Sequence, residues 1–124
     1  MGNPLGYPEA VWALFRDTPR AGRFHPATPG LRVAEVGTPA GRGRLRLEIR
    51  MAENVIADSR FQAWGCPFTI AGGAWAAGWL VGRTLGEAAG LNAATVAEAL
   101  EIPDDRAHCG LMVEDAVRAL VRTT

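Results

Sequence analysis

Hydrophobic and polar positions change their period along this chain, and the change separates strands from helices. Leu45, Leu47, Ile49 and Met51 alternate with Arg44, Arg46, Glu48 and Arg50. A period of two means a strand with one face in a core and the other in water. The pattern runs over residues 42–51. Ala52, Glu53 and Asn54 then make a turn, and residues 55–64 form a further strand that pairs back as a hairpin. Residues 31–36 supply a strand ahead of these two, with Gly37, Pro39, Gly41 and Gly43 marking the turn between. Upstream, residues 8–15 form a short helix with Val11, Trp12, Leu14 and Phe15 as its apolar contacts. Pro19, Gly22, Pro26, Pro29 and Gly30 then punctuate a loop.

Past Trp64 the signals become helical. Gly65 turns the chain, and Pro67 suits a first helical position because its missing N–H would have had no partner there. Gly82 ends this helix. Thr84 and Glu87 are spaced as a capping box, Asn92 caps a helix running to about Leu100, and Pro103 stops it. Residues 110–121 make the last helix, with Val113, Ala116, Val117, Leu120 and Val121 on its apolar stripe. Three strands followed by several helices predict one α+β domain over residues 1–124, a small three-stranded antiparallel sheet with helices packed on one face.

Composition narrows the function classes. A length of 124 residues with 48% hydrophobic residues suffices for one core without disulfide staples. The formal net charge is zero, so bulk electrostatics do not point to nucleic acid. All 13 basic residues are arginine, and those on residues 42–51 read as the solvated face of a strand shared with Glu48 and Asp58. Residues 66–82 carry no charge, but they fall short of the roughly 20 apolar residues that span a bilayer, so a buried helix is expected. The opening segment has no basic start followed by an apolar stretch, which makes the cytoplasm the expected compartment. Phosphate-loop, nucleophile-elbow and zincin motifs are absent; the glycine-rich run at 37–43 precedes a strand, not a helix.

The two cysteines, Cys66 and Cys109, are too few for a disulfide framework or a four-thiolate zinc site. Each falls at an expected helix start, where the helix dipole and free amides lower a thiol pKa. His108 adds an imidazole beside Cys109. Spacing alone leaves two readings open: a metal or reactive-thiol site, and two buried thiols that only fill space. His25 reads as a surface histidine, and Trp75 and Trp79, four apart on one helix, as packing.

Several segments together resemble the IscU/NifU-type iron–sulfur cluster assembly scaffold over nearly the whole chain. Thr18, Pro19 and Arg20 with Gly22 and Phe24 are similar to its N-P-R-N-x-G segment, and residues 36–40 to its V-G-x-P segment. Residues 61–66 are similar to its F-x-x-x-G-C segment; His108 and Cys109, followed by Glu114, Asp115 and Ala116, resemble its H-C-x-x-x-x-E-D-A segment. The resemblance implies an IscU/SufE-like fold and a non-enzymatic scaffold or carrier that binds iron or a [2Fe–2S] cluster and passes it to acceptor proteins. It also implies a cysteine desulfurase as the sulfur source; from net charge and segment length, neither nucleic acid nor a membrane is expected as partner. Cys66, His108 and Cys109 carry over as cluster or metal ligands. The family's first cysteine falls on Gly41 and its nearby aspartate on Gly43, leaving three protein ligands where such a cluster takes four. Residues 102–106 depart from the family's L-P-P-V-K segment, which speaks against docking of its specialised chaperone. Two alternatives stand beside this reading: a mononuclear zinc protein using the same Cys-His-Cys set, and a degenerate scaffold that serves as an interaction module.

Overall fold

A computed structural model of the chain describes residues 6–37 and 43–122. Helix α1 (Glu9–Asp17) leads to strands β1 (Leu31–Gly37), β2 (Arg44–Ala52) and β3 (Val55–Trp64). Helices α2 (Pro67–Leu80), α3 (Leu85–Ala88, a single turn), α4 (Ala93–Leu100) and α5 (Ala107–Arg122) follow. The three strands pair antiparallel in the order β1-β2-β3. This is the α+β architecture that the alternation and the caps predict.

Leu45, Leu47 and Ile49 are fully buried, with Phe61 opposite Leu47 and Ala34 on the same face of β1. Against that face α2 packs across β3, and α5 across β1 and β2. Gly73 sets how close α2 comes. A Cβ there would stand 2.7 Å from Phe61 Cδ2 and 2.9 Å from Leu45 Cδ1, so a larger residue would push the helix off the sheet. The uncharged stretch is therefore spent on Ala71, Ala74, Ala77 and Leu80 in the core. Among the described residues no helix is long and apolar enough to cross a membrane.

The expected caps form. Glu87 N–H donates to Thr84 Oγ1 at 3.1 Å while Thr84 N–H donates to Glu87 Oε1 at 2.9 Å. Thr95 N–H donates to Asn92 Oδ1 at 2.9 Å. Glu114, reaching over from α5, accepts the Ala93 N–H at 2.8 Å, so α5 helps to cap α4.

Two expectations change. A turn of 3₁₀ helix, Asp104–Arg106, feeds directly into α5, which begins at Ala107 and not at Gly110. The outer face of the sheet is also not simply solvated. The loop after α1 first runs along the free edge of β3, bridging it at Ala21: Phe61 N–H donates to Arg20 O at 3.0 Å, and Gly22 N–H to Phe61 O at 2.9 Å. Phe24 N–H then reaches Glu48 Oε1 at 2.8 Å. Glu48 ends 2% exposed, with Arg46 Nε donating to its other oxygen at 2.8 Å, because a buried carboxylate needs such partners. Trp75 and Trp79 stack at 6.1 Å on the α1 side of α2 and are half-buried; Arg83 lies 3.9 Å over Trp79. His25 is exposed on the loop, its Nδ1 accepting the Ala27 N–H at 3.0 Å.

Candidate metal centre

β3 runs out at Trp64, Gly65 reverses the chain at a φ of 146°, and Cys66 becomes the N-cap of α2 with Pro67 just behind it. The first turn of α5 brings Cys109 against this helix start. The two sulfurs, 43 residues apart in sequence, stand 3.8 Å from each other. Thr69, one turn into α2 and 3% exposed, completes the cluster: its hydroxyl lies 3.4 Å from Cys109 Sγ and 3.7 Å from Cys66 Sγ. Two metal–sulfur bonds of about 2.3 Å at a tetrahedral angle span ~3.8 Å between sulfurs. The observed spacing is the one two thiolates on one metal ion take, and also that of two thiols in contact.

The two thiols are electrostatically unlike. Partial burial opposes charge on Cys66, but the Thr69 and Phe68 amides at the helix start, the Thr69 hydroxyl and the Cys109 thiol together outweigh it and lower its pKa. Cys109 is pushed the other way, up to about 11, chiefly by burial and further by the neighbouring Cys66 charge. The lowering expected for both cysteines thus holds for Cys66 alone. Cys109 is inside the first turn of α5 and 1% exposed, and burial there overrides the helix end. Iodoacetamide near neutral pH should accordingly alkylate Cys66 well before Cys109, with the Cys66 rate falling as pH drops through its lowered pKa. Peptide mass mapping over a time course checks this, and equal rates would contradict it.

His108 is half-buried and not gathered with the sulfurs; among the described residues no group of three or more His, Cys, Asp and Glu side chains stands ready for a metal ion. Because α5 begins at Ala107, His108 and Cys109 are consecutive helical positions, pointing about 100° apart. A start at Gly110 would have left both in a loop free to converge. Gly41 lies outside the described residues. Gly43 faces the site: a Cβ there would meet Met112 Cε at 3.1 Å, Trp64 O at 3.2 Å and Thr69 Cγ2 at 3.6 Å. Thr69 was missed by sequence reasoning, although its spacing three residues after Cys66 on a helix start is the signal that finds it. Glu114, in the segment that also carries His108 and Cys109, is structural: besides capping α4 it lies 3.9 Å from Arg118.

Residues 6–123 match the NifU-like N-terminal domain family. The chain belongs to that family. It is 33% identical over 119 residues to the iron–sulfur cluster assembly scaffold protein IscU of Azotobacter vinelandii, covering 95% of this chain and 93% of that one. It is 32% identical to iron–sulfur cluster assembly protein 2 of Arabidopsis thaliana, over 97% of this chain and 77% of that protein. Among solved structures, a scaffold protein assigned to the SUF system of Fervidobacterium islandicum superposes with a TM-score of 0.77 at 16% identity, covering 98% of this chain and 100% of that one. The N-terminal part of a NifU-like protein from Brucella abortus gives 0.71 at 19% identity, over 92% and 90%. The fold is thus that of the IscU/NifU scaffolds.

Proposed function

We propose that this NifU-like domain is an iron–sulfur assembly scaffold or carrier whose cargo, iron or a nascent [2Fe–2S] cluster, is held by Cys66 and Cys109. The observation that carries the reading is the 3.8 Å sulfur–sulfur separation at one helix start. The Cys66 thiolate makes the first bond, since the helix-start amides already favour its charged form. Cys109 gives up its proton on binding. His108 is the third ligand once the first turn of α5 opens to bring its imidazole round to the sulfurs. With Gly43 in place of a side-chain donor, the remaining position is left to sulfide, a small thiol or the acceptor protein. That opening suits a protein that must hand its cargo on. A cysteine desulfurase supplies the sulfur and acceptor proteins receive the product; the chain itself turns nothing over. No helix here spans a membrane among the described residues, and a cytoplasmic setting keeps both thiols reduced.

Anaerobic reconstitution with ferrous iron and sulfide tests the proposal. It should produce visible absorption from thiolate-to-iron charge transfer, in stoichiometric amount, and a protein that stays colourless would overturn the cluster. The same sulfur spacing equally suits a mononuclear zinc ion. Elemental analysis of protein purified without added metal separates the two: zinc that resists displacement by iron and sulfide would favour the second reading.

A further inference from the structure

The net charge of zero conceals a strong asymmetry. Among the described residues, Arg20, Arg23, Arg44, Arg46, Arg50 and Arg60 stand on the outer face of the sheet or on the loop beside it, against three carboxylates there, Glu35, Glu48 and Asp58. The carboxylates are already shared. Glu48 is buried and engaged by Arg46 and the Phe24 amide. Asp58 receives both Arg20 at 2.7 Å and Arg60 at 2.9 Å. Glu35 is divided between Arg44 at 3.6 Å and Arg46 at 3.5 Å. Arg23 finds only the neutral Gln62 amide, at 2.6 Å, and Arg44 keeps 60% of its side chain in water. Surplus positive charge is therefore exposed at the Trp64 end of the face, at Arg23 and Arg44, while Arg50 stands at its other end, across from Asp58.

Trp64 itself is 46% exposed and carries Arg44 over its ring at 5.6 Å. Beside it a groove of about 330 Å3 runs along the edge of β3, with Thr18, Gly22, Ala63, Trp64 and Ile70 among its walls. Phe61 directs its backbone N–H and C=O away from β2, to Arg20 and Gly22. The two-residue period turns those of Ala63 to the same edge, within the groove. The edge at Phe61 is already bridged by Ala21; the outward backbone groups of Ala63, the exposed Trp64, Arg23 and Arg44 together form a site where a short extended segment can continue that edge.

We propose that this edge docks an extended, acidic segment of a partner protein. The segment lies along Ala63, covers Trp64 and places carboxylates on Arg23 and Arg44. Trp64 is two residues from Cys66, so a partner held there is delivered to the thiol pair. Charge complementarity selects an acidic peptide, and the strand edge selects an extended one.

The test is a fluorescence-anisotropy titration of the full-length chain against a short labelled peptide of alternating Glu and Val. Binding should weaken with salt, and fall about tenfold in Arg44→Glu, in Arg23→Glu and in Trp64→Ala. It should be unchanged in Arg16→Glu on α1. Arg23→Gln, on a loop, keeps the test open should a strand variant unfold. Cys66→Ala and Cys109→Ala should bind the peptide normally, which separates this inference from the metal reading. No binding, equal binding of the Gln-for-Glu peptide, or equal loss in Arg16→Glu overturns it. So does binding of oligothymidylate or phosphatidylglycerol vesicles in place of the peptide. A dimer in sedimentation that Arg44→Glu dissolves would also overturn it, by making a second copy the occupant.

Discussion

Replacing either Cys66 or Cys109 with alanine should weaken iron or zinc binding by about 100-fold or more, and leave reconstituted protein without visible absorption. Outer-sphere partners of a metal are already worth about 10- to 100-fold, and in the proposed site each cysteine is a direct ligand with few others beside it. Cys109→Ala removes a single buried sulfur, so circular dichroism should show a folded protein and the loss can be read as a loss of ligation. The unlike thiols also set a pH dependence. Cys109 stays protonated up to about 11, so every binding event at neutral pH must expel its proton. Affinity should therefore rise with pH, about tenfold per pH unit once Cys66 is already ionised. The slope should steepen towards two protons as pH falls below the lowered pKa of Cys66. Competition titrations with a chelator across pH measure both slopes; a pH-independent affinity would remove the thiols from the site. His108→Ala, by contrast, should weaken binding without abolishing it.

The largest effect on stability is expected at Phe61, in the segment that leads to Cys66. Phe61→Ala should destabilise the domain by about 3–5 kcal/mol, seen as a lower urea midpoint with an unchanged slope. Phe61 is 2% exposed, sits opposite Leu47, and fills the space that Gly73 leaves on α2. The cavity cannot collapse easily, because its walls are a sheet and a helix already in close contact. Three residues on, Trp64 is 46% exposed on the other face, and its replacement should cost much less. The aromatic in this segment thus supports the site from within the core, whereas the aromatic next to it is available to partners.

The backbone elements were legible because their causes are local. Alternation of Leu45, Leu47 and Ile49 with charged residues is written in consecutive positions, and β3 has the bounds read for it, Val55–Trp64. The Thr84 capping box and the Asn92 cap each depend on residues three apart, and both form. The start of α5 was not legible. The last helix reads from Gly110 onward, yet Gly110 lies within a helix that a 3₁₀ turn feeds at Ala107, and its small size lets α5 approach Ala93, whose O would be 3.1 Å from a Cβ. Nor was the burial of Glu48 legible. Alternation assigns it correctly to the outer face, but only the loop carrying Phe24, more than twenty residues away, decides that this position is covered.

The same division applies to the site. Residue order alone determined that Cys66 caps a helix behind Pro67, and hence that its thiol is activated, since the dipole and the free amides belong to its own turn. Packing of α5 on α2 decided the rest. It set the sulfurs 3.8 Å apart, placed the Thr69 hydroxyl against both, turned His108 aside and favoured the protonated form of Cys109. Those outcomes depend on how two helices from distant parts of the chain share one core. Burial and distance are properties of that shared space, and neighbouring residues do not encode them.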